Sequence, residues 1–329
     1  MEQSPPSSPI SSPLSSGGEV GVFGKIPKVG DFVRAGRADE SSRALEEWLH
    51  SGVEVAHARR TPWKPAFLAG KVYGCVFRVP LSGDRSGLLA GVIKPSQDSV
   101  GRAFPLVIHR SLPPECPPHL LPLVLGDFLD NAAQLAFDTT LMSSQAELSG
   151  RTMQVGAPLG DINEAARQYD WWTRNTALPD LWSSIYGSAS VAEPSTLLGY
   201  LSEIVAPFAG RGPSTTPLSL RVPLGQGGVA AACFWLDLVR CSMRWRAHVP
   251  TFFWFFDGRS GDLLVQLGRT PPASLLELWS PDPKSDVVCD YSQPFWQPSE
   301  DTLRRVAPHL VPLLHRHAYV AELLHAIWP

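Results

Sequence analysis

The stretch Gly24-Lys-Ile-Pro-Lys-Val-Gly-Asp-Phe32 decides how the fold is interpreted. It follows the apolar alternation of Glu19 to Gly24, which predicts a first short strand. Its two glycines and its proline predict a rigid loop, because glycine adopts backbone shapes closed to other residues and proline fixes φ. In such a loop Asp31 would bind backbone amides, as Asp commonly does in turns.

The Gly24-Lys25 pair does not match a phosphate-binding loop. A Walker A loop has a glycine five residues before Gly-Lys and a Ser or Thr directly after it. Here Ile26 follows Lys25, and an apolar side chain cannot bind magnesium. Neither Gly-x-Gly-x-x-Gly nor the nucleophile elbow Gly-x-Ser-x-Gly occurs, and Ser260 in Gly258-Arg-Ser-Gly-Asp262 is interpreted as a turn residue.

Outward from this loop, hydrophobic periodicity predicts an α+β fold. Helical spacing predicts a helix over Asp39 to Ala58, with Ser41 or Ser42 as its cap. The β-rich runs Lys71 to Pro80 and Gly87 to Lys94 predict a hairpin. Strands in hairpins with helices between them indicate a mainly antiparallel sheet with packed helices, arranged in two α/β lobes.

The later elements follow from the same patterns. They are a third strand at Ala103 to His109, one long helix at His119 to Ser144, helices at Asp161 to Tyr169, Ser195 to Phe208 and Gly228 to Trp245, strands at Leu218 to Leu224, Thr251 to Phe256 and Leu263 to Leu267, a helix at Pro272 to Trp279, and an interrupted helical stretch at Glu300 to Trp328. The aromatic run Phe252 to Phe256 and the pair Trp171-Trp172 are interpreted as core, with an exposed partner anchor as the alternative.

Composition shifts predict the domain organisation. Residues 1–18 form a Ser/Pro-rich leader, expected to be disordered, and residues 19–209 form the first domain. The Gly/Pro/Ser/Thr run at residues 210–217 is the predicted linker. Residues 218–329 form a second α+β lobe with C-terminal helices, and the alternative is that the first domain continues to about residue 280.

Composition also limits the function classes. With 44 % apolar and 18 % charged residues the 329-residue chain can bury a large core, and its net charge of −3 gives no basic excess for nucleic acid. No apolar run approaches the roughly 18 residues of a membrane span, and the leader lacks the features of a signal peptide. Five cysteines without a Cys-x-x-Cys pair indicate reduced thiols. We therefore expect a cytoplasmic protein without cofactor or metal.

The titratable residues give no catalytic pattern. His315 and His317 are two apart and face different sides of a helix, so they cannot share one metal ion. Asp31, Asp98 and Asp161 lie in loops where Asp commonly bonds local amides. We expect no enzyme, and the alternative is a hydrolase that uses Asp31, Asp98 and Arg102.

Two motifs carry a resemblance to a known family. Gly21 to Arg34 resembles the opening of the TagF/ImpM family of bacterial type VI secretion, which begins with aromatic-Gly-Lys-Leu-Pro-x-x-Gly-Asp-Phe. Pro95-Ser-Gln-Asp-Ser-Val-Gly-Arg-Ala-Phe-Pro-Leu106 resembles that family's Pro-Ser-x-Asp-x-Val-Gly-Arg-x-Phe-Pro-Leu. Beyond residue 112 the resemblance is weaker. Either residues 113–249 hold an insertion, or the second half is an added domain.

The resemblance implies a non-enzymatic, post-translational repressor of type VI secretion that involves a forkhead-associated scaffold protein. The alternative is a structural adaptor of the secretion apparatus. The positions implied for partner binding or for the fold are Gly24, Lys25, Pro27, Gly30, Asp31, Phe32, Arg34, Trp48, Ser96, Asp98, Gly101, Arg102, Phe104 and Pro105. We expect the two motif loops to lie side by side, joined by an Asp31–Arg102 or an Asp98–Arg34 ion pair.

Overall fold

The computed structural model describes residues 19–36, 39–59, 62–81, 86–113, 116–156, 159–281, 285, 287–295 and 297–327. The predicted leader over residues 1–18 lies outside the described residues. So does most of the turn between the two predicted hairpin strands, at residues 82–85.

The described strands form one sheet that both halves of the chain build. In chain order they are β1 Gly21–Gly24, β2 Val33–Ala35, β3 Tyr73–Pro80, β4 Ser86–Lys94, β5 Leu106–Leu112, β6 Ser219–Pro223, β7 Phe252–Phe256, β8 Gly261–Gln266 and β9 Val288–Asp290. Their order in space is β2-β1-β5-β4-β3-β7-β8-β6-β9. Every neighbouring pair is antiparallel except β6 and β9, which run parallel. The α+β prediction is confirmed.

Helices cover the sheet on both faces. They are α1 Glu40–Ala58, α2 Lys64–Leu68, α3 Leu121–Val124, α4 Gly126–Asp138, α5 Gln145–Thr152, α6 Ile162–Asn175, α7 Leu178–Tyr186, α8 Ala192–Val205, α9 Gly228–Met243, α10 Ser274–Glu277, α11 Asp301–Val306, α12 Val311–His315 and α13 Val320–Ile327. Single 3₁₀ turns precede α3 and α12.

Two cores lie on opposite faces of the sheet. The smaller one joins α1, α2 and α10 to the sheet, and Trp48 of α1 packs on Phe77 with ring centroids 4.6 Å apart. The larger one contains α4, α7 and α9, with Phe128, Trp182 and Trp235 fully buried. Because side chains alternate along each strand, the sheet supplies apolar residues to both cores.

The seam between the halves is the pairing of β3 with β7, through Gly74–Trp254, Cys75–Phe253 and Val76–Phe252. Phe252, Phe253 and Trp254 are buried there, as the core interpretation of this aromatic run requires. Each half therefore contributes its own strands to a shared sheet. The linker at 210–217 lies between α8 and β6, and the predicted domain boundaries stay predictions.

Most element predictions are confirmed, and the helix predicted over His119 to Ser144 is wrong. Pro118–Val124 and Gly126–Asp138 are bent by 62° relative to each other. The second segment opens on a glycine, a weak helix former. Within the described chain no single helix could cross a membrane, although this bent pair would pass by length and composition alone.

Smaller corrections concern element ends and short elements. Asp39, not Ser41 or Ser42, caps α1 by accepting a hydrogen bond from the backbone N–H of Ser42. The strand predicted from Ala103 begins at Leu106. The helix predicted to end at Tyr169 continues to Asn175, which leaves Trp171 66 % exposed. The elements β2, β9, α2, α5 and α7 were not predicted, because each is short and gives little periodicity.

Candidate functional site

The two motif loops meet at Gly24. A Cβ atom built on this residue would lie 2.2 Å from the carbonyl oxygen of Pro105, which is closer than any side chain tolerates. Gly24 also has φ of 141°, a backbone conformation that other residues rarely adopt. The first motif therefore needs glycine at this position so that its backbone can lie directly against the second motif.

Asp98 is the centre of the contact. Its side chain is fully buried, and its Oδ2 accepts hydrogen bonds from Lys25 Nζ at 2.8 Å and from Arg102 Nε at 2.7 Å. Its Oδ1 accepts from the backbone N–H groups of Val100 at 3.1 Å and Arg102 at 2.8 Å. Burial alone would raise the pKa of Asp98, but the hydrogen bonds from Lys25 and Arg102 hold it well below its usual range.

Two further hydrogen bonds tie the loops together. Arg102 Nη2 donates to the carbonyl oxygen of Gly30 at 2.5 Å, and the backbone N–H of Ser99 donates to the carbonyl oxygen of Val29 at 3.1 Å. With the buried Lys25–Asp98 ion pair, these contacts give three cross-links between segments about seventy positions apart. The expectation that the loops lie side by side agrees with this geometry.

Neither of the two predicted ion pairs forms. Arg102 pairs with Asp98 inside its own loop, because their i, i+4 spacing brings them together without a second loop. Asp31 instead accepts a hydrogen bond from the backbone N–H of Phe32 at 2.8 Å. Arg34 reaches Glu46 of α1 at 2.6 Å. Lys25, for which no ion pair was predicted, is the residue that crosses between the loops.

An aromatic cluster packs against the two loops. Phe32 stacks on Phe23 with ring centroids 5.4 Å apart and meets Phe104 edge-on at 4.8 Å. His50 of α1 lies 4.9 Å from Phe104, and Lys25 Nζ lies 4.9 Å from the centroid of Phe32. The motif phenylalanines thus anchor both loops to the sheet, which is a structural role.

The remaining motif residues shape the turns. Pro27 follows Ile26 in a turn closed by the Val29 N–H to Ile26 carbonyl hydrogen bond, where proline at the second position is favoured. The carbonyl oxygen of Ser96 accepts from the N–H of Phe104 at 3.0 Å. Gly101, at φ of 84°, offers its carbonyl oxygen to Lys64 Nζ at 2.6 Å. Trp48 has its ring contacts with Phe77 and Phe253 in the core of the sheet.

Exposed apolar side chains flank the two loops. Val100 is 73 % exposed, Leu141 is 74 % exposed and Phe137 is 53 % exposed. Lys28 Nζ donates a hydrogen bond to the carbonyl oxygen of Leu141 at 2.9 Å, and Lys94 Nζ lies 5.3 Å from the Phe137 ring centroid. We call the set Lys28, Lys64, Val100, Arg102, Phe137 and Leu141 the motif surface.

Phe137 and Leu141 were not among the predicted site residues. Both fall within the helix wrongly predicted over His119 to Ser144, where an apolar residue is expected to face the core. Only their exposure in the folded chain distinguishes them, and no local pattern carries that information.

The residues of the hydrolase alternative do not assemble as a pair of free carboxylates. Both oxygens of Asp98 are occupied by donors, and exposed Asp31 bonds its own loop. Ser260 sits in a turn whose Asp257 accepts from the backbone N–H groups of Arg259 and Ser260. Within the described chain, no three or more His, Cys, Asp or Glu side chains cluster in a way that could hold a metal ion.

Comparison with known families identifies the region that contains both motifs. Residues 21–154 match the TagF N-terminal domain, a type VI secretion system-associated domain. This part of the chain is a TagF domain. The motif surface lies entirely within the TagF domain, whereas α6 to α13 and β6 to β9 lie beyond it.

No curated protein matches the chain. The crystal structure of PA0076 from Pseudomonas aeruginosa PAO1, at 2.05 Å resolution, is 18 % identical in sequence to the chain. The alignment covers 81 % of this chain and 96 % of that one, with a TM-score of 0.47. The TagF domain makes the chain a type VI secretion-associated protein.

Proposed function

We propose that this protein is a non-enzymatic, post-translational repressor of bacterial type VI secretion. It acts in the cytoplasm by binding a component of the secretion system, such as its forkhead-associated scaffold protein, through the motif surface. The observation that carries the proposal is the cross-linked pair of motif loops, which holds exposed apolar side chains in a fixed arrangement.

Rigidity supports a binding role. The Lys25–Asp98 ion pair and the Arg102–Gly30 hydrogen bond hold the loops before any partner arrives. A preformed surface loses little conformational entropy on association, so more of the contact free energy appears as affinity. Val100 and Leu141 at its edge are the kind of exposed apolar side chain that marks protein interfaces.

The charge of the motif surface indicates the chemistry of the partner. Lys28, Lys64 and Arg102 are exposed cations on it. Charged groups across an interface are arranged to complement each other, which raises the rate of association and suppresses wrong partners. The partner surface is therefore acidic, with apolar positions that receive Val100 and Leu141.

The state of Asp98 supports the non-enzymatic part of the proposal. A catalytic carboxylate needs a free oxygen within hydrogen-bond reach of a substrate. Both oxygens of Asp98 are used by Lys25, Arg102 and backbone amides, and its low pKa makes it a poor base.

The test is a binding measurement between the purified protein and the scaffold by isothermal titration calorimetry. The double variant Val100→Asp, Leu141→Asp is expected to weaken binding at least about tenfold, since it places anions against an acidic partner. The matched control is Trp171→Asp, an equally exposed apolar residue outside the TagF domain. Unchanged binding by the double variant, or equal loss in the control, would contradict the motif surface as the interface.

A deletion strain tests the direction of regulation. Loss of a repressor raises type VI secretion, which is measured by the amount of secreted protein in the culture supernatant. Loss of a structural adaptor abolishes secretion. The second result would leave the interface in place and replace repression with an assembly role.

A further inference from the structure

A concave region lies beside the seam between the two halves, and none of the motif-surface residues lines it. It has a volume of about 910 Å³, which is within the range of small-molecule sites. Its walls come from α1, the end of β3, the segment 213–217 and the segment 268–272. We call it the seam groove. It lies just beyond Val76–Phe252, the last register pair between β3 and β7.

The walls of the seam groove are rigid. A Cβ atom on Gly268 would lie 2.5 Å from the carbonyl oxygen of Thr216, so the two wall segments are in direct backbone contact. The N–H of Ser214 also donates to the carbonyl oxygen of Leu267 at 2.9 Å. Five prolines restrict the walls further: Pro80, Pro213, Pro217, Pro271 and Pro272. The groove is therefore largely preformed.

Its lining combines an aromatic side chain with polar donors. Trp48 lies in the wall with 8 % of its surface exposed, so the edge of its ring system that is not buried offers an apolar surface to the groove. Ser51, Ser86 and Thr270 add hydroxyl groups to the same lining.

The charges in the groove are unbalanced. Arg78 and Arg269 both line it, and neither has a carboxylate partner among the described residues. Burial lowers the pKa of Arg78, and burial together with the charge of Arg78 lowers the pKa of His248 to about 4, so this imidazole is neutral. The exposed Glu47 offsets one of the two cations. A half-buried guanidinium that lacks a counterion is a place where an anion gains most.

We propose that the seam groove binds a small organic anion that carries an aromatic or apolar body. Its carboxylate, phosphate or sulfonate group pairs with Arg78 and Arg269, and its apolar body lies against Trp48 and the prolines. Guanidinium groups suit this role because their planar donors match the oxygens of such anions. The groove lies at the seam, so a bound ligand contacts both the TagF domain and the second half of the chain.

The test uses two fluorescent probes of nearly equal shape, titrated into the full-length protein. One is 8-anilinonaphthalene-1-sulfonate, which carries an anion, and the other is neutral N-phenyl-1-naphthylamine. The anionic probe is expected to bind saturably at one site and more tightly than the neutral one. Arg269→Ala is expected to raise the Kd of the anionic probe about tenfold, the size of a lost charged hydrogen bond, and to leave the neutral probe unchanged.

Two controls keep the result interpretable. Arg269 is exposed, so its removal is expected to leave the melting temperature unchanged. Arg78→Gln is a second groove variant, and unchanged binding of the neutral probe to it shows that the groove is still folded. Arg259→Ala removes an equally exposed arginine from the β7–β8 turn, outside the groove. The proposal is overturned if both groove variants bind the anionic probe like the unchanged protein, or if they lose both probes equally.

Competition then distinguishes the sources of the anion. Inorganic phosphate and acetate, added separately against the anionic probe, show whether a phosphate or a carboxylate is preferred. Equal displacement of the anionic probe by phosphate, acetate and sodium chloride at the same ionic strength would show that the arginines act only through non-specific charge, and that result also overturns the proposal.

Discussion

Two of the buried charged clusters among the described residues have opposite composition. In the motif loops one carboxylate, Asp98, lies between the cations Lys25 and Arg102. At the far end of the sheet one cation, Arg221, lies between the carboxylates Asp262 at 3.0 Å and Asp290 at 3.5 Å. Both central side chains are at most 5 % exposed.

The clusters differ in how fully their charges are satisfied. Asp98 has hydrogen bonds at both oxygens, and its pKa is held well below its usual range. In the second cluster burial raises the pKa of Asp262, the attraction of Arg221 lowers it, and the like charge of Asp290 adds to the rise. Among the residues that the structure describes, Arg221 Nε has no hydrogen-bond partner of good geometry.

The difference reflects what each cluster has to hold. The motif loops have few backbone hydrogen bonds between them, so their alignment depends on Lys25, Asp98 and Arg102. The strands around Arg221 are already aligned, since β6 and β8 share five register pairs. A buried ion pair is weak evidence for stability when the backbone holds the same elements. We therefore expect the first cluster to matter more.

The largest expected effect is that of Asp98→Asn. The variant leaves Lys25 buried without a counterion, and breaking a buried pair in this way costs about 3–5 kcal/mol. Urea unfolding at neutral pH measures the change in the free energy of unfolding. Asp31→Asn is the matched control in the partner loop, because exposed Asp31 bonds the N–H of Phe32 and no other group among the described residues. Equal losses for the two variants would show that Asp98 has no special role.

The pH dependence of stability separates the two clusters by sign. The pKa of Asp98 is lowered by folding, so its contribution is complete above the unfolded value of about 3.9 and is lost as pH falls below it. The pKa of Asp262 is raised by folding. The fold therefore loses stability as pH rises from the unfolded value of about 3.9 towards the higher pKa of Asp262 in the folded protein.

Urea midpoints measured at intervals between pH 3 and pH 7 test this. The stability gap between the unchanged protein and Asp98→Asn is expected to narrow on acidification. The unchanged protein should lose stability relative to Asp262→Asn as pH rises. If the stability difference between the unchanged protein and its variant changed with pH in the same direction for Asp98→Asn and for Asp262→Asn, the assignment would be contradicted.

A smaller effect is expected for Asp262→Asn at neutral pH. Arg221 keeps Asp290 and the carbonyl oxygen of Glu277 as partners, and the raised pKa of Asp262 shows that its charge is poorly stabilised. We expect a loss of about 1 kcal/mol or less, the size of one net hydrogen bond. The same urea series measures it, and a loss as large as that of Asp98→Asn would remove the contrast between the clusters.

The same two regions show what sequence could predict. The rigid first motif loop was predictable because its glycines and proline fix local backbone shape, and the second loop was recognised through its resemblance to the TagF/ImpM motif. The aromatic strand β7 was also predicted, since its apolar run exceeds what a surface strand carries. The seam at β3 and β7 was not, because pairing between residues about 180 positions apart leaves no local pattern.

The errors at the site have a physical cause as well. Arg102 was expected to reach across to Asp31, yet its own loop already supplied a carboxylate four residues away. A long flexible side chain pairs with the nearest buried partner, and sequence does not show which carboxylate is buried. The Arg221 cluster was missed for the same reason, as its members come from three separate strands.

The smallest expected effect is that of Arg102→Gln. The Arg102 side chain is 61 % exposed, and the Lys25–Asp98 pair remains when Arg102 is removed. Solvent-exposed ion pairs contribute about 0–1 kcal/mol, so the expected loss in urea unfolding is of that order. Because Arg102 is also an exposed cation of the motif surface, binding to an acidic partner should weaken although the fold persists. A loss of several kcal/mol would instead make Arg102 the residue that holds the loops together, and Lys25 would then be the secondary contact.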